Sequence, residues 1–99
     1  MWILQSSGLA SGDLIFRLSP GGIKTVGRAP RADFIVDAAL VSRLHCRLEA
    51  GDNNLDVIDL SSTNGTYVNG KRVKRARLTS GDRLRVGRVE LTVRRKGSA

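Results

Sequence analysis

Two Asn-Gly pairs lie five residues apart in the stretch 61–70, and no other feature constrains the fold of this chain as strongly. Asn-Gly pairs accept positive φ and form the tight turns that join antiparallel strands. The residues between the pairs, Thr66-Tyr67-Val68, have β-forming side chains and the length of a short strand. The stretch therefore predicts a β-protein with tight turns.

The remainder of the chain has the same organisation, with short apolar segments between turn residues. Leu14, Phe16 and Leu18 share one face at period two, and residues 89–94 alternate between apolar and polar side chains. No segment of ten or more residues has helical periodicity. About ten short strands with frequent turns indicate an all-β fold, either an antiparallel sandwich or a barrel. We predict a loop at 6–13 and strands at 2–5, 14–18, 23–26, 34–36, 45–49, 55–59, 66–69, 71–73, 83–86 and 89–94.

The length and composition fit one intracellular domain. The 99 residues with a hydrophobic share of 40% are enough to build a core. No apolar run approaches the length of a membrane span, and the first residues lack the pattern of a signal peptide. Cys46 is the single cysteine, which excludes an internal disulfide and is typical of a reducing compartment.

The net charge of +8 is distributed unevenly. Residues 1–70 carry six Lys and Arg against seven Asp and Glu, whereas residues 71–96 carry eleven against two. This asymmetry indicates an anionic partner, which is a nucleic acid, an acidic or phosphorylated protein, or a membrane surface. A solvated basic face is the alternative. Nucleic acid is disfavoured by the scarcity of aromatic residues that could stack on bases, namely Trp2, Phe16, Phe34 and Tyr67.

No catalytic or metal-binding pattern is present. His45 and Cys46 are adjacent, but neighbouring residues of a strand point to opposite faces, so a thiol dyad cannot form. With one His and one Cys there is no zinc set, and residues 52–56 lack the Gly and Glu of a calcium loop. No phosphate-binding or dinucleotide fingerprint occurs. We therefore expect a non-enzymatic protein without metal or cofactor.

Residues 61–66 are rich in hydroxyl and amide side chains, which with free backbone N–H groups can hold an oxyanion. A polar hairpin loop is the alternative.

Three motifs in order, Gly27-Arg28, Ser42-Arg43-x-His45 and Thr63-Asn64-Gly65, resemble the signature of the forkhead-associated (FHA) domain. The resemblance runs from residue 2 to residue 94. It implies an antiparallel β-sandwich of eleven strands with binding loops at one end, a domain at 1–96 and a frayed end at 97–99.

By this resemblance the chain binds phosphothreonine in a partner protein. Arg28 supplies a planar cation that can donate two hydrogen bonds to phosphate oxygens. Ser42 and Thr63 supply hydroxyls, and Arg43 adds a backbone N–H and its side chain. Asn64 matches the asparagine that binds the peptide backbone. Taken singly, each of these residues could be a solvated side chain or a turn former.

The same resemblance implies supporting residues. Gly27 and Gly65 would let the backbone turn tightly beneath the phosphate contacts. His45 resembles the histidine that supports the binding loops from behind and does not touch the phosphate. The candidates for selecting the third residue after the phosphothreonine form a mixed apolar and basic set, Leu40, Gly87, Arg88 and Val89.

Four arginines are expected at the binding end, and they favour a ligand with acidic residues around the phosphothreonine. They are Arg28, Arg31, Arg43 and Arg88, and only Asp33 and Asp37 lie near them in sequence.

A narrower resemblance, to the amino-terminal domain of nibrin-type DNA-repair scaffolds, implies DNA-damage signalling and a nuclear location. We expect the isolated domain to be monomeric. The rival hypothesis is a nucleic-acid-binding β-domain that uses the basic surplus of residues 71–96.

Overall fold

The computed structural model describes residues 1–6 and 13–97, which form eleven β-strands and no helix. Most of the predicted 6–13 loop, and Ser98 and Ala99, lie outside these residues. No helix in the described part is long and apolar enough to cross a membrane. The strands are β1 (Trp2–Ser6), β2 (Leu14–Leu18), β3 (Ile23–Gly27), β4 (Phe34–Ile35), β5 (Cys46–Ala50), β6 (Leu55–Asp59), β7 (Thr66–Val68), β8 (Lys71–Val73), β9 (Arg75–Leu78), β10 (Arg83–Val86) and β11 (Val89–Arg95).

The strands form two sheets that pack as a sandwich around one core. The six-stranded sheet has the order β2-β1-β11-β10-β7-β8, and the five-stranded sheet has the order β4-β3-β5-β6-β9. All pairs are antiparallel except β3 with β4, which are parallel. The eleven-stranded β-sandwich that the resemblance implied is confirmed, and the parallel pair is the one departure from it.

Alternating side chains build the core as their sequence predicted. In β11, Val89, Leu91 and Val93 are buried, whereas the residues between them are exposed. Leu14, Phe16 and Leu18 likewise face inward, and the Phe16 ring stacks on Phe34 with centroids 4.6 Å apart. Burying a side chain of this size contributes about 1.5–3 kcal/mol. The core therefore holds the two sheets as a rigid base for the loops.

One strand, β9, was absent from the prediction. Its sequence alternates between arginine and small or apolar residues, so it lacks the β-branched side chains that usually indicate a strand. The strand forms because Ala76 and Leu78 pair with Val57 and Leu55 of β6 on the core side. That pairing is long-range and does not show in the local pattern.

Four connections meet at one end of the sandwich, which we call the loop end. They are residues 28–33, 36–45, 60–65 and 87–88, between β3 and β4, β4 and β5, β6 and β7, and β10 and β11. Strand register brings them together, since Val26 pairs with Cys46 and Cys46 pairs with Asp59. The predicted motif residues all lie at this end or at its border.

Candidate binding site

The loops that carry Arg28 and Ser42 are joined by their backbones. The Arg28 N–H donates to the Ser42 carbonyl and the Ala29 N–H to the Arg43 carbonyl, both at 3.0 Å. Gly27 makes this approach possible, because a Cβ there would lie 2.0 Å from the Arg43 carbonyl oxygen. Gly27 is therefore required by close backbone packing.

His45 joins two loops from beneath. Its ring is fully buried, and Nδ1 accepts from the Ser42 N–H at 3.1 Å. Because Nδ1 accepts, the proton is assigned to Nε2, which donates to the Gly65 carbonyl at 2.8 Å. Gly65 has φ +89°, a conformation that favours glycine. His45 thus links the 36–45 loop to the 60–65 loop through one backbone group of each.

A second group of supporting contacts was missed by the sequence analysis. The Asp59 carboxylate accepts from the Ser62 hydroxyl at 2.5 Å and from the Thr66 hydroxyl at 2.7 Å. The Ser62 hydroxyl in turn accepts from the Gly65 N–H at 3.0 Å. An Asp at a strand end followed three residues later by Ser is a turn pattern that could have indicated this contact.

The Asp59 carboxyl is held ionised by these contacts. Its partial burial opposes ionisation, but hydrogen bonds from Ser62 and Thr66 outweigh that cost and lower the pKa of Asp59 below its ordinary 3.8. The carboxylate thus acts as a fixed acceptor that shapes the 60–65 loop. Neither Asp59 nor His45 faces the depression described next.

The loop end encloses an open depression of about 520 Å³. All five residues that the resemblance assigned to phosphopeptide binding line it, together with the 39–41 segment. The lining residues are Arg28, Ala39, Leu40, Val41, Ser42, Arg43, Thr63 and Asn64.

Side chains around the depression are positioned and keep donors free. The Arg28 Nε donates to the Val41 carbonyl at 3.1 Å, which leaves both terminal nitrogens without a partner among the described residues. The Ser42 hydroxyl oxygen accepts from the Thr63 N–H at 3.0 Å, so its own hydrogen can be donated elsewhere. The Asn64 amide donates to the Leu40 carbonyl at 3.0 Å. These contacts pre-organise the surface for an anion.

The depression is electrically positive. Within residues 1–6 and 13–97, no carboxylate lies within 4.0 Å of the charged nitrogens of Arg28, Arg31 or Arg43. The nearby Asp33 carboxylate is occupied by the backbone N–H of Thr25 at 2.8 Å and its hydroxyl at 3.1 Å. These hydrogen bonds, the backbone one first, lower the pKa of Asp33.

The four specificity candidates occupy different environments. Leu40 lines the depression, is 46% exposed and has φ +70°, which is uncommon for leucine. Arg88 is exposed at the loop end. Gly87 is buried under the 39–41 segment, where an added Cβ would lie 3.0 Å from the Leu40 carbonyl carbon. Val89 is 2% exposed and packs in the core, so Leu40 and Arg88 are the two whose side chains a ligand can reach.

Part of the basic surplus at 71–96 is neutralised. Arg75 and Arg77 of β9 lie 3.1 and 3.2 Å from the Asp56 carboxylate. The Arg85 guanidinium stacks over the Tyr67 ring at 4.1 Å, which covers that face of the ring from a nucleic-acid base. Net charge therefore overstates the basic surface that is open to a partner.

The His45–Cys46 pair does not form a catalytic dyad. The His45 ring is bonded to backbone groups on both sides, and burial, aided by nearby Asp59, raises the pKa of the Cys46 thiol to about 12. In the part of the chain that the structure describes, no three His, Cys, Asp or Glu side chains cluster as a metal site would need.

Comparison with known proteins identifies curated relatives. The FHA-domain profile matches residues 24–87. The glycogen accumulation regulator GarA of Mycobacterium tuberculosis is 39% identical over 69 residues, covering 70% of this chain and 43% of GarA. The oxoglutarate dehydrogenase inhibitor of Corynebacterium diphtheriae is 39% identical over 67 residues, covering 68% of this chain and 47% of the inhibitor. This chain thus spans less than half the length of either relative.

Solved structures share the fold over nearly the whole chain. The FHA domain of CT664 from Chlamydia trachomatis matches with a TM-score of 0.89 and 25% identity, covering 97% of this chain and 98% of that one. The FHA domain of FhaA, complexed with the intracellular domain of Rv3910, matches at 0.85 and 32%, covering 95% and 100%. A structure from a study of phosphothreonine-dependent FHA domain interactions matches at 0.84 and 31%, covering 98% of each chain.

Proposed function

Because the chain belongs to the forkhead-associated family, we propose that it is a phosphothreonine-dependent protein-binding module whose ligand occupies the depression at the loop end. The observation that carries this proposal is that Arg28, Ser42, Arg43, Thr63 and Asn64 line one depression and face no carboxylate there. A structure similar to this one was studied for phosphothreonine-dependent interactions, which supports the same chemistry here.

Each lining residue has a role that its contacts allow. The terminal nitrogens of Arg28 bind two phosphate oxygens, since its Nε is held by Val41. The Ser42 hydroxyl donates to the phosphate while it accepts from Thr63. The Thr63 hydroxyl and the Arg43 side chain add further donors, and Asn64 binds the peptide backbone beside the phosphothreonine.

The depression is a site of recognition, not of reaction. A dianionic phosphate meets fixed donors that need no rearrangement, because the loops are already joined through His45 and the backbone. Phosphothreonine should bind more tightly than phosphoserine, since one buried methyl group contributes about 0.8 kcal/mol, or roughly fourfold in affinity.

The test is calorimetry with three peptides that differ at one position, carrying phosphothreonine, phosphoserine or unmodified threonine. We expect binding in that order, with the unmodified peptide far weaker. Equal affinity for the phosphorylated and unmodified peptides would contradict the proposal.

We propose further that acidic residues around the phosphothreonine strengthen binding. Arg28, Arg31 and Arg43 have no carboxylate partner in the described residues, and Arg88 is exposed nearby. Two or three exposed ion pairs of about 0.2–1 kcal/mol each would shift affinity about three- to thirty-fold. A peptide with Asp on both sides of the phosphothreonine should therefore bind more tightly than one with Ala, most clearly at low salt.

The wider role we propose is that of a regulatory protein. Curated relatives from two bacterial genera are named as a regulator and an inhibitor, which favours phosphorylation-dependent regulation. The DNA-damage role and nuclear location implied by the narrower resemblance have no support among these relatives and stay predictions. The intracellular location and the monomeric state are also predictions.

A further inference from the structure

A second depression of about 570 Å³ adjoins the first at the loop end. It shares two of its walls, Arg28 and Arg43, with the first depression, and its other lining residues are Ala29, Pro30 and Arg31. Arg28 and Arg43 therefore line both depressions, which have similar volumes. Of the two depressions, Arg31 lines only the second.

The turn that presents Arg31 is well defined. The Ala32 N–H donates to the Ala29 carbonyl at 3.0 Å, which closes a β-turn with Pro30 and Arg31 at its centre. Proline fixes φ at the position before Arg31 and so limits the conformations of the turn. The Ala29 N–H is itself bonded to the Arg43 carbonyl, so the turn is tied to the neighbouring loop.

The second depression is lined by cationic side chains and by no carboxylate. Three of its five lining residues are arginines and none is Asp or Glu. The Asp33 carboxylate, two residues beyond Arg31, is bonded to Thr25. A dianionic phosphate in the first depression would balance two of the three guanidinium charges and leave one unbalanced.

We infer that the second depression is a second anion subsite, which takes another negatively charged group of the same ligand. This inference rests on the proposed function. A guanidinium presents N–H donors along more than one edge, so Arg28 and Arg43 can contact anions on both sides while Arg31 binds only the second. The second group is a phosphate on another side chain or a carboxylate, and the phosphate, with twice the charge, gains more.

The spacing of the two groups follows from the two arginines, Arg28 and Arg43, that line both depressions. Anions that contact the same guanidinium groups from two sides lie within the reach of a short extended peptide, in which each residue spans about 3.3–3.6 Å. The ligand is therefore a segment in which the second anion lies about two to four residues from the phosphothreonine, on one side of it.

The test uses calorimetry at physiological salt with one phosphothreonine peptide and its derivatives. Each derivative carries a second phosphothreonine, Glu or Ala, placed about two to four residues before or after the first. We expect a second phosphate to tighten binding about ten-fold and Glu about three-fold, relative to Ala, at one side only.

Two variants test whether the tighter binding from the second anion depends on Arg31. Arg31→Ala should abolish the gain from the second anion, measured for each protein relative to its own affinity for the singly phosphorylated peptide. Arg94→Ala is the matched control, since Arg94 is an exposed arginine on β11 away from the loop end, and it should keep the full gain. Melting temperatures confirm that both variants fold.

The outcomes separate this inference from the proposed function. An equal gain in Arg31→Ala and wild type, or no gain at any position, overturns the second subsite and leaves phosphothreonine binding standing. Failure of the singly phosphorylated peptide to bind better than its unmodified form contradicts the proposed function and the second subsite together.

Discussion

Arginine serves two regions of this molecule in different ways. At the edge of the five-stranded sheet, Arg75 and Arg77 of β9 flank Asp56, whose side chain is 12% exposed. At the loop end, Arg28 donates through Nε to a backbone carbonyl, and neither it nor Arg31 has a carboxylate partner among the described residues. The first region pairs its arginines with carboxylates, and the second leaves its arginines without such partners among the described residues.

The difference arises from register. Asp56 and Arg77 are directly paired residues of β6 and β9, and Arg75 lies two positions away on the same face. Loop residues have no such ladder, so their side chains are positioned by backbone carbonyls and hydroxyls that leave the charge in place. Positive charge in a sequence therefore indicates a binding surface only where tertiary contacts leave it unpaired.

The largest expected effect comes from His45→Ala, which removes the support of the loop end and leaves the sheet edge intact. The change leaves the Ser42 N–H and the Gly65 carbonyl unpaired and opens a buried cavity. We expect a loss of about 2–4 kcal/mol in the free energy of unfolding, with weaker peptide binding. Thermal melting and calorimetry measure both. Wild-type stability with no binding would show that His45 is not a supporting residue.

Arg28→Ala tests the unpaired arginines directly. Hydrogen bonds to charged groups contribute about 1.5–3 kcal/mol, so the affinity for a phosphothreonine peptide should fall about ten- to hundred-fold or more. The melting temperature should change little, because Arg28 is exposed. Arg75→Ala is the matched control from the paired region and should leave peptide affinity unchanged. Similar losses in both variants would mean that only net charge matters.

Asp56→Asn weakens the pairing at the sheet edge, where Arg77 loses its carboxylate partner and Arg75 keeps only Glu49, at 3.9 Å. It removes the carboxylate charge from between Arg75 and Arg77, and we expect a loss of about 0.5–2 kcal/mol of stability with unchanged peptide affinity. DNA affinity at low salt should rise slightly, since the positive charge of this edge is then less balanced by carboxylates. Micromolar DNA binding by the wild type at physiological salt, insensitive to Ser42→Ala, would favour the rival nucleic-acid function.

The smallest expected effect is the contribution of Asp56 and Asp59 to the pH dependence of stability. It is negligible near neutral pH and appears only in acid. Burial opposes ionisation of both, but hydrogen bonds from Arg77 and Arg75 to Asp56, and from Ser62 and Thr66 to Asp59, lower each pKa below 3.8. A lowered folded-state pKa contributes stability above the unfolded-state value, which is lost as pH falls through the folded-state value.

Melting temperature should therefore vary little through these two groups between pH 7 and about pH 4, and fall below that. Asp56→Asn removes one of the two groups, so the variant should show a shallower decline in acid. An equally steep decline in the variant would show that the Asp56 ion pairs contribute little.

Local patterns predicted most strands because each strand repeats the alternation of its own residues. β11 is the clearest case, with Val89, Leu91 and Val93 buried as expected. β9 was missed because Arg75 and Arg77 appear as a solvated run until Asp56 is placed beside them. The parallel pairing of β4 with β3 was also beyond a local pattern, since strand direction depends on the path of the chain.

The residues assigned to the site came from motifs and a family resemblance, and the structure brings all five around one depression. The contacts among Asp59, Ser62 and Thr66 were not predicted, although they hold the same loop. The spacing of Asp59 and Ser62 is typical of a turn, but the same spacing occurs in turns that support no site, so the sequence alone does not assign the contact this role.

By itself the sequence determined the all-β class, the turns and the kinds of donor available, because these depend on φ preferences and on side chains at period two. Tertiary structure alone decided which arginines pair with carboxylates and which line the two depressions at the loop end. Asp56 meets Arg77 across 21 residues of sequence, and Arg28 meets Val41 across 13. Such contacts depend on strand register and loop packing, which the whole fold sets.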